Sequence, residues 1–390
     1  MRLSKEFALA AACCRWPRDA AADALVTALA AEIEDWPRFV RIVRRQRVEG
    51  LVHHALGRSG AAVPAKVSEE IGADARAIAR QNLTFAAESA RLLALFGEAG
   101  IPLIFVKGVT LAVLAYGTLG VKKGWDVDIA VLPEQAEAAA AVLAAAGYVR
   151  TIPDPALSDA QFRIWVRHWK ESVWRHRGKN IHVELHTSLV DNARLLPGVG
   201  ARSAAQQVEI APGLSLPTLR REELFAYLCV HGASSAWVRI KWLADVAALL
   251  GAGDSAETER LYRASQLLGV GRASAQALLL CAELLATPLP PALAAELRAD
   301  PINRYLARAA LGMMAGANEE READERLLGT LPTHFTQLLL LKGWRYKLSE
   351  LRRQSISPYD RATLALPRPL HFLYPVLLVP LWLMRRRKAG

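Results

Sequence analysis

Apolar residues recur at helical spacing toward both ends of the chain. From about residue 20 to 97 they repeat at intervals of three and four positions, as in Leu25, Leu29 and Ile33, which predicts several amphipathic helices. Helical spacing returns beyond residue 217 and continues to about residue 350, most clearly in LRREELFAYLCVHGA and WVRIKWLADVAALL. The pattern therefore predicts a helical region on each side of a central segment.

The central segment, from Gly100 to about residue 195, alternates strand-like and helix-like runs. IPLIFVK (101–107) is continuously apolar, GVTLAVLAY is typical of a helix, and WDVDIAVL (125–132) alternates apolar and acidic positions. EQAEAAAAVLAAAG predicts a helix ending at Gly147, and extended runs at 169–175 and 181–185 flank the turn-rich RGKN. This β-α-β-α-β-β order predicts a small mixed sheet covered by helices, in an α+β fold.

Four parts of the chain follow from these patterns. We predict an N-terminal helical region (1–97), a core with a mixed sheet (98–195), a C-terminal helical domain (196–360) and a proline-rich apolar and basic tail (361–390). The tail contains HFLYPVLLVPLWLM, 14 residues that are too few to cross a bilayer core of about 30 Å as a helix. We expect this segment to pack on the protein body. Peripheral contact with the inner face of a membrane, aided by the terminal RRRK, is the alternative.

Composition and charge narrow the class of protein. Hydrophobic residues make up 52% and charged residues 22% of the 390 positions, as in globular proteins. The formal net charge of +11 favours anionic ligands such as phosphates, nucleic acid or anionic lipid, but no nucleic-acid-binding module is recognisable, which disfavours nucleic acid. Four cysteines without regular spacing, and an N-terminus unlike a signal peptide, predict a cytoplasmic protein.

The candidate chemistry lies in paired carboxylates. Asp126 and Asp128 are two residues apart on a predicted strand, so both side chains project from the same face. Carboxylate oxygens suit Mg²⁺ or Mn²⁺, and two such ions can position a triphosphate for attack. Glu184 in IHVELH offers a third carboxylate from another strand. The alternative is a solvated strand face whose carboxylates form ordinary ion pairs with Lys122 and Lys123.

The segments around these carboxylates predict phosphate contacts. Lys107 and Gly108 end the first strand, where a small residue lets a phosphate approach the backbone. The loop GTLGVKKGW is glycine-rich and basic, as a loop facing phosphates is. On the Glu184 strand, His182 and His186 share the carboxylate's face, which leaves open a histidine and carboxylate metal site with hydrolytic chemistry.

VKGVTLAVLAYGTLGVKKGWDVDIAV, followed about 55 residues later by VELH, resembles the DNA polymerase β-type nucleotidyltransferase superfamily, in its bacterial branch of uncharacterised nucleotidyltransferases. The segments HGASSAWVRIKWLADVAALL and LPRPLHFLY extend the resemblance over most of the chain. The resemblance implies metal binding by Asp126, Asp128 and Glu184. Lys107-Gly108 stands where better-known superfamily members have Gly-Ser, and Lys122 stands where members of the branch usually have arginine.

Further residues of the helical part are secondary candidates. Arg239 could reach a phosphate, and His186 could orient Glu184 or contact substrate. His182 is expected at the surface, and His231 is open between a core and a functional role. We interpret Lys241 and Asp245, four positions apart, as an ordinary pair on a helix surface.

The sequence thus predicts a metal-dependent nucleotidyltransferase that uses a nucleoside triphosphate, ATP by default. The sequence leaves the acceptor open among a small molecule, a peptide and a surface-polymer precursor, because no residue pattern identifies it. A second hypothesis is a nucleotide-binding protein whose related fold no longer catalyses transfer. Intact carboxylates favour the enzyme.

Overall fold

The computed structural model describes residues 3–251, 253–322, 331–355, 364, 366–377 and 380. Five helices precede the sheet, and proline or a capping aspartate begins several of them. Asp35, for example, accepts a hydrogen bond from the Arg38 amide at the start of the third helix. These helices are α1 (Lys5–Cys13), α2 (Ala20–Ala30), α3 (Trp36–Gln46), α4 (Glu49–Ser59) and α5 (Ala65–Glu98).

Strands alternate with helices in the central part, as predicted. The elements are β1 (Ile104–Phe105), α6 (Val109–Tyr116), β2 (Val127–Ala130), α7 (Ala136–Ala145), β3 (Tyr148–Ile152), α8 (Asp159–His168), β4 (Glu171–His176) and β5 (His182–His186). A 3-10 turn, Pro133–Gln135, precedes α7. The predicted hairpin is confirmed as β4 and β5, whereas β3 and α8 were not predicted. The first strand is two residues long rather than seven.

Beyond β5 the chain adds a second hairpin and then becomes helical. The elements are β6 (Ala205–Ala211), β7 (Leu214–Leu219), α9 (Arg221–Ser234), α10 (Ile240–Gly251), α11 (Ser255–Leu267), α12 (Gly271–Leu285), α13 (Pro291–Ala299), α14 (Pro301–Met314), α15 (Leu331–Gln337) and α16 (Trp344–Ser355). Two further 3-10 segments are Gly316–Asn318 and Arg368–Leu373. The hairpin β6–β7 was not predicted.

The strands form one seven-stranded sheet in the order β3-β4-β5-β2-β1-β7-β6. β2 runs parallel to β5 and β1 runs parallel to β7, while the other neighbours are antiparallel. A mixed sheet with helices on it confirms the α+β prediction. The four domain boundaries drawn from the sequence remain predictions.

Two hydrophobic cores lie on the two faces of the sheet. One joins the N-terminal helices to α6, α9, α10 and α12, and the other joins α5, α7 and α8 to the opposite face. Val127 and Ile129 of β2 pack into the second core. Because side chains alternate along a strand, Asp128 between them faces the other way. The hydrophobic pattern of β2 thus sets where its carboxylate points.

The C-terminal tail is described only in part. Tyr374 is buried, and its hydroxyl donates a hydrogen bond to the Leu364 carbonyl at 2.7 Å. Residues 378, 379 and 381–390, on which the choice between packing and membrane contact also depends, lie outside the described residues. None of the helices in the described part of the chain has the length and apolar character that crossing a membrane requires.

Candidate active site

Two parallel strands in the middle of the sheet bring the predicted acidic residues together. Asp128 of β2 lies opposite Glu184 of β5, and Ala130 lies opposite His186. Val183 and Leu185 pack into the core under the sheet, so Glu184 and His186 project to the other face, together with Asp128. The strand register therefore places side chains that are more than 50 residues apart in sequence on one face.

Asp128, Glu184 and His186 form a compact cluster. Each offers one ligand atom, and these atoms lie within 4.8 Å of one another. Nε2 of His186 lies 3.2 Å from Oδ1 of Asp128 and 3.4 Å from Oε2 of Glu184. Asp128 and His186 are almost fully buried. The second carboxylate oxygen of Asp128, Oδ2, is buried without a hydrogen-bond partner.

His186 also contacts a third acid from the neighbouring strand. Its Nδ1 lies 3.3 Å from Oε2 of Glu171, without the angle of a hydrogen bond. Burial favours the neutral imidazole, but the hydrogen bonds to Asp128 and Glu184 outweigh it and raise the pKa of His186 to about 9. Burial raises the pKa of Glu184 in turn, but His186 and Lys107 leave it below its ordinary value.

Lys107 extends from the end of β1 into the same cluster. Its Nζ lies 3.0 Å from Oδ1 of Asp128 and 3.9 Å from Oε2 of Glu184. Burial opposes its charge, but Asp128 and the other acids hold the pKa of Lys107 well above its usual value. Gly108 follows with φ 71° and ψ −126° and begins α6. Side chains rarely adopt this conformation, so glycine is needed at this turn.

Asp126 lies just before β2, next to the cluster. Burial and the nearby charge of Asp128 raise the pKa of Asp126, and Lys107 opposes this shift. The predicted strand included Asp126, whereas the paired strand begins at Val127. The two aspartates still line one cavity, as the prediction of a shared face requires.

The N-terminal helices α4 and α5 contact the loop between α6 and β2. The buried Asn82 of α5 donates hydrogen bonds to the carbonyls of Leu119 (2.6 Å) and Lys122 (2.7 Å). Gly50 of α4 lies against the backbone at Val121, where any Cβ would fall well inside van der Waals distance of the carbonyl oxygen. These contacts fix the position of the two lysines that follow.

The loop, Arg47 just after α3, and the helices α9 and α10 enclose a cavity of about 130 Å³ beside the carboxylates. Its walls carry five basic side chains, Arg47, Lys107, Lys122, Lys123 and Lys241. Acidic side chains of the walls are Asp126, Asp128 and Asp245. A pocket lined by many cations beside a carboxylate cluster suits a phosphorylated ligand that arrives with a divalent ion.

The two lysines of the loop form ion pairs with acids other than Asp126 and Asp128. Nζ of Lys122 lies 3.6 Å from Oδ2 of Asp245, and Lys123 forms an ion pair with Glu49. The alternative in which Asp126 and Asp128 simply pair with these two lysines is therefore wrong. Lys122 still lines the cavity, and its predicted contact with phosphate stays a prediction.

The interpretation of Lys241 and Asp245 as a surface pair was wrong. Asp245 is buried, contacts Lys122, and accepts a hydrogen bond from the Tyr116 hydroxyl at 2.9 Å. Nζ of Lys241 donates instead to the Lys123 carbonyl at 3.2 Å. Burial and the charge of Lys122 lower the pKa of Lys241 to about 7, although Asp245 opposes the shift. The helix α10 faces the cavity rather than solvent.

The other histidines and Arg239 occupy different places. His231 lines the cavity, and burial holds its pKa well below the ordinary value. His182 is outside the Asp128 cluster. Arg239 forms an ion pair with Glu322 and is not among the described residues that line the cavity. Its predicted role in nucleotide binding is untested.

Several residues of the site were not predicted from the sequence. Arg47, Asn82 and Glu49 come from the N-terminal helices, and Trp125 was not singled out within its loop. Residues tens of positions apart meet only through helix packing, and basic or amide side chains on a helix have no pattern of their own. For Lys241 and Asp245, the buried character of α10 was the available signal, because nearly all their neighbours are apolar.

The fold and the site together define an α+β protein with a carboxylate cluster on neighbouring strands, a Lys-Gly turn, and a basic cavity above them. Residues 32–286, more than half of the chain, match the family described as uncharacterised nucleotidyltransferases. The chain belongs to this family. No curated protein matches the chain.

Proposed function

We propose that the protein transfers a nucleoside monophosphate from a nucleoside triphosphate to an acceptor, with Mg²⁺ or Mn²⁺, and releases pyrophosphate. The observation that carries the proposal is Oδ2 of Asp128, which is buried and unpaired beside Glu184 and under five cationic side chains. A buried carboxylate oxygen without a partner costs stability unless a ligand satisfies it. A divalent cation would do so.

The residues fit such a cation. Asp126, Asp128 and Glu184 supply the oxygen ligands that Mg²⁺ and Mn²⁺ prefer, and their charges repel one another in its absence. When bound, the metal would neutralise the triphosphate and activate the attacking oxygen. Lys107 neutralises Asp128 and Glu184 in the structure, and a metal on the same oxygens would leave its ammonium group for a phosphate.

The remaining cations would hold the triphosphate. Arg47, Lys122 and Lys241 line the cavity from different elements and would contact the β- and γ-phosphates. An acceptor oxygen would then form a bond to the α-phosphorus while the bond to the departing pyrophosphate breaks, in line with it. Glu184 would take the proton of the acceptor. His186 would position Glu184 through Nε2 while its other nitrogen faces Glu171.

One observation supports a second candidate, a metallohydrolase. His186 belongs to the cluster, and imidazole is a ligand that Zn²⁺ favours. Asp126, Asp128 and Glu184 offer oxygen ligands only, a set that suits Mg²⁺ better than Zn²⁺. This supports nucleotidyl transfer over hydrolysis. The two candidates differ in product, because a transferase releases pyrophosphate and a nucleotide hydrolase of this kind releases orthophosphate.

The test is metal-dependent binding of a triphosphate to wild type and to the double variant Asp126→Asn, Asp128→Asn. Isothermal titration with ATP, GTP, CTP and UTP, with Mg²⁺, Mn²⁺ or EDTA, should show binding by wild type only with metal. The double variant should bind none of them. The charge-matched control replaces two exposed aspartates outside the cavity, Asp154→Asn and Asp159→Asn, and should bind like wild type. Equal binding by the site variant would overturn the metal assignment.

A further inference from the structure

Trp125 is a large apolar side chain that remains 54% exposed directly before Asp126. It lines the cavity above the carboxylates and also a second cavity of about 260 Å³. Lys123 and Gly124 are likewise shared by the two cavities. The two spaces therefore adjoin at the tryptophan.

The sizes of the two cavities indicate one ligand that spans both. Cavities that hold a small-molecule ligand measure roughly 300–1,000 Å³. Each cavity alone, at about 130 Å³ and about 260 Å³, falls below this range, and together they enter it. A ligand across both would place one end among the cations and the other end beyond Trp125.

The second cavity differs in character from the first. Its lining includes the apolar side chains of Phe85 and Ile78 and the polar residues Gln81, Asn180 and His182. The amides of Gln81 and Asn180 offer both donors and acceptors without a net charge, and the ring nitrogens of His182 can also form hydrogen bonds. Asp74, its acidic residue, is already paired with Arg44 at 2.8 Å. The cavity suits a flat ring with polar edges better than a charged group.

Trp125 is oriented by the cations of the first cavity. The guanidinium carbon of Arg47 lies 4.8 Å from the centre of the ring, and Nζ of Lys123 lies 5.6 Å from it, within the range of cation–π contacts. Lys123 is fixed in turn by Glu49. The ring is thus held beside the groups that would bind phosphate, although more than half of it is open to solvent.

We infer that the second cavity receives the nucleobase of the triphosphate, stacked on Trp125, with Gln81, Asn180 and His182 facing the edge of the base. A nucleotide joins the two required features in one molecule, a polyphosphate and a flat ring with polar edges. Trp125 lines both cavities and directly precedes Asp126, so one nucleotide would place its phosphates on one side of this ring and its base on the other. This inference rests on the proposed function and adds where the base lies.

The test compares a nucleotide with the same phosphate chain without a base. Wild type, Trp125→Ala and Trp125→Phe are titrated with inorganic tripolyphosphate and with each of the four nucleoside triphosphates, all with Mg²⁺. Stacking of a base on an aromatic ring is lost on substitution by alanine at a cost of roughly 5- to 150-fold in affinity. We expect this loss in Trp125→Ala for the best-bound nucleotide, no change for tripolyphosphate, and near-normal binding in Trp125→Phe.

A matched control is Trp344→Ala, since Trp344 is 69% exposed and lies outside both cavities. It should bind both ligands like wild type. If Trp125→Ala binds nucleotides as wild type does, the base lies elsewhere and the inference is overturned while the proposed function stands. An equal loss of both ligands overturns it too, because Trp125 would then support the phosphate wall. Wild type that binds neither ligand would refute the proposed function and the inference with it.

Discussion

The affinity for a triphosphate should fall as the pH rises through neutrality, and Lys241 is the residue expected to cause the fall. Its side chain lines the basic cavity, and its pKa of about 7 leaves it half charged near neutral pH. Phosphate groups bind the ammonium form. A ligand bound above the pKa must therefore bring a proton onto Lys241, and this requirement weakens binding.

The size of the effect follows from the pKa. For a group with a pKa of about 7, the protonated fraction falls about tenfold between pH 6 and pH 8, so Kd should rise about tenfold over that interval. The full tenfold rise in Kd is reached only when the bound phosphates raise the pKa of Lys241 well above 8. Burial sets this pKa first, and the charges of Lys122, Arg47 and Lys107 lower it further while Asp245 raises it.

Two histidines near the cavity, His231 and His186, should contribute little over this interval. His231 stays neutral, because burial holds its pKa well below the ordinary value. His186, with a pKa of about 9, stays largely charged until above pH 8. The part of the slope of affinity against pH that Lys241→Arg removes is therefore assigned to Lys241.

The assay is isothermal titration of the magnesium complex of ATP, or of the best-bound nucleotide, at pH 6, 7 and 8. Buffers of different ionisation enthalpy count the protons taken up. Lys241→Arg is the control, because arginine keeps its charge over this range and should bind without dependence on pH. Lys241→Met should bind weakly throughout. A slope that persists in Lys241→Arg, or a flat slope in wild type, would refute the reasoning.

Two further predictions concern stability. Asp126→Asn should stabilise the metal-free protein at neutral pH, because a carboxyl with a raised pKa costs stability once pH exceeds its unfolded pKa. Asp128→Asn should instead destabilise it by about 1–3 kcal/mol, because Lys107 and His186 each lose one of their acidic partners. Urea denaturation without metal measures both, and equal effects would contradict the ion-pair assignment. Gly50→Ala should lower the free energy of unfolding by about 1–3 kcal/mol, because the added methyl group presses on the Val121 backbone. Gly57→Ala on the same helix, with open space around it, should be neutral or stabilising. Thermal melts that show no difference between the two variants would contradict this position of the loop.

The parts of the fold that the sequence predicted well are those with strong local periodicity. The alternation in WDVDIAVL predicted one face for Asp126 and Asp128. The pairing of β2 with β5 and the packing of Val127 and Ile129 confirm the face of Asp128, while Asp126 lies just before the paired strand. The first strand proved shorter than its apolar run, because Pro102 has no amide hydrogen to donate and the paired residues are only Ile104 and Phe105.

The parts that were missed depend on contacts distant in sequence. The Pro-Gly turn between the alternating runs of β6 and β7 is a sequence signal for a hairpin. The sequence did not indicate that this hairpin pairs with β1. Lys107 and the lysines of the loop before β2 were predicted to face phosphate, but the rest of the basic cavity wall was not predictable. Arg47, directly after α3, and Lys241 of α10 meet only when the N-terminal and C-terminal helices share one core. Helical spacing indicates which face of a helix is buried but not which element packs against that face.

The central claim is nucleotidyl transfer, and the most direct measurement follows both products in wild type and in Glu184→Gln. The assay combines nucleoside triphosphate labelled at the α-phosphate, Mg²⁺ or Mn²⁺, and candidate acceptors from the small-molecule, peptide and surface-polymer classes. Mass spectrometry detects the nucleotidyl group on the acceptor, and pyrophosphate is measured in parallel. Glutamine keeps the size of Glu184 and removes its charge.

We predict that wild type forms equal amounts of labelled acceptor and pyrophosphate and needs the metal for both. Glu184→Gln should retain much of the nucleotide affinity, because Asp126 and Asp128 remain, but should lose transfer. Undiminished transfer by Glu184→Gln would show that this carboxylate is structural. Release of orthophosphate alone by wild type, with no labelled acceptor, would contradict the account.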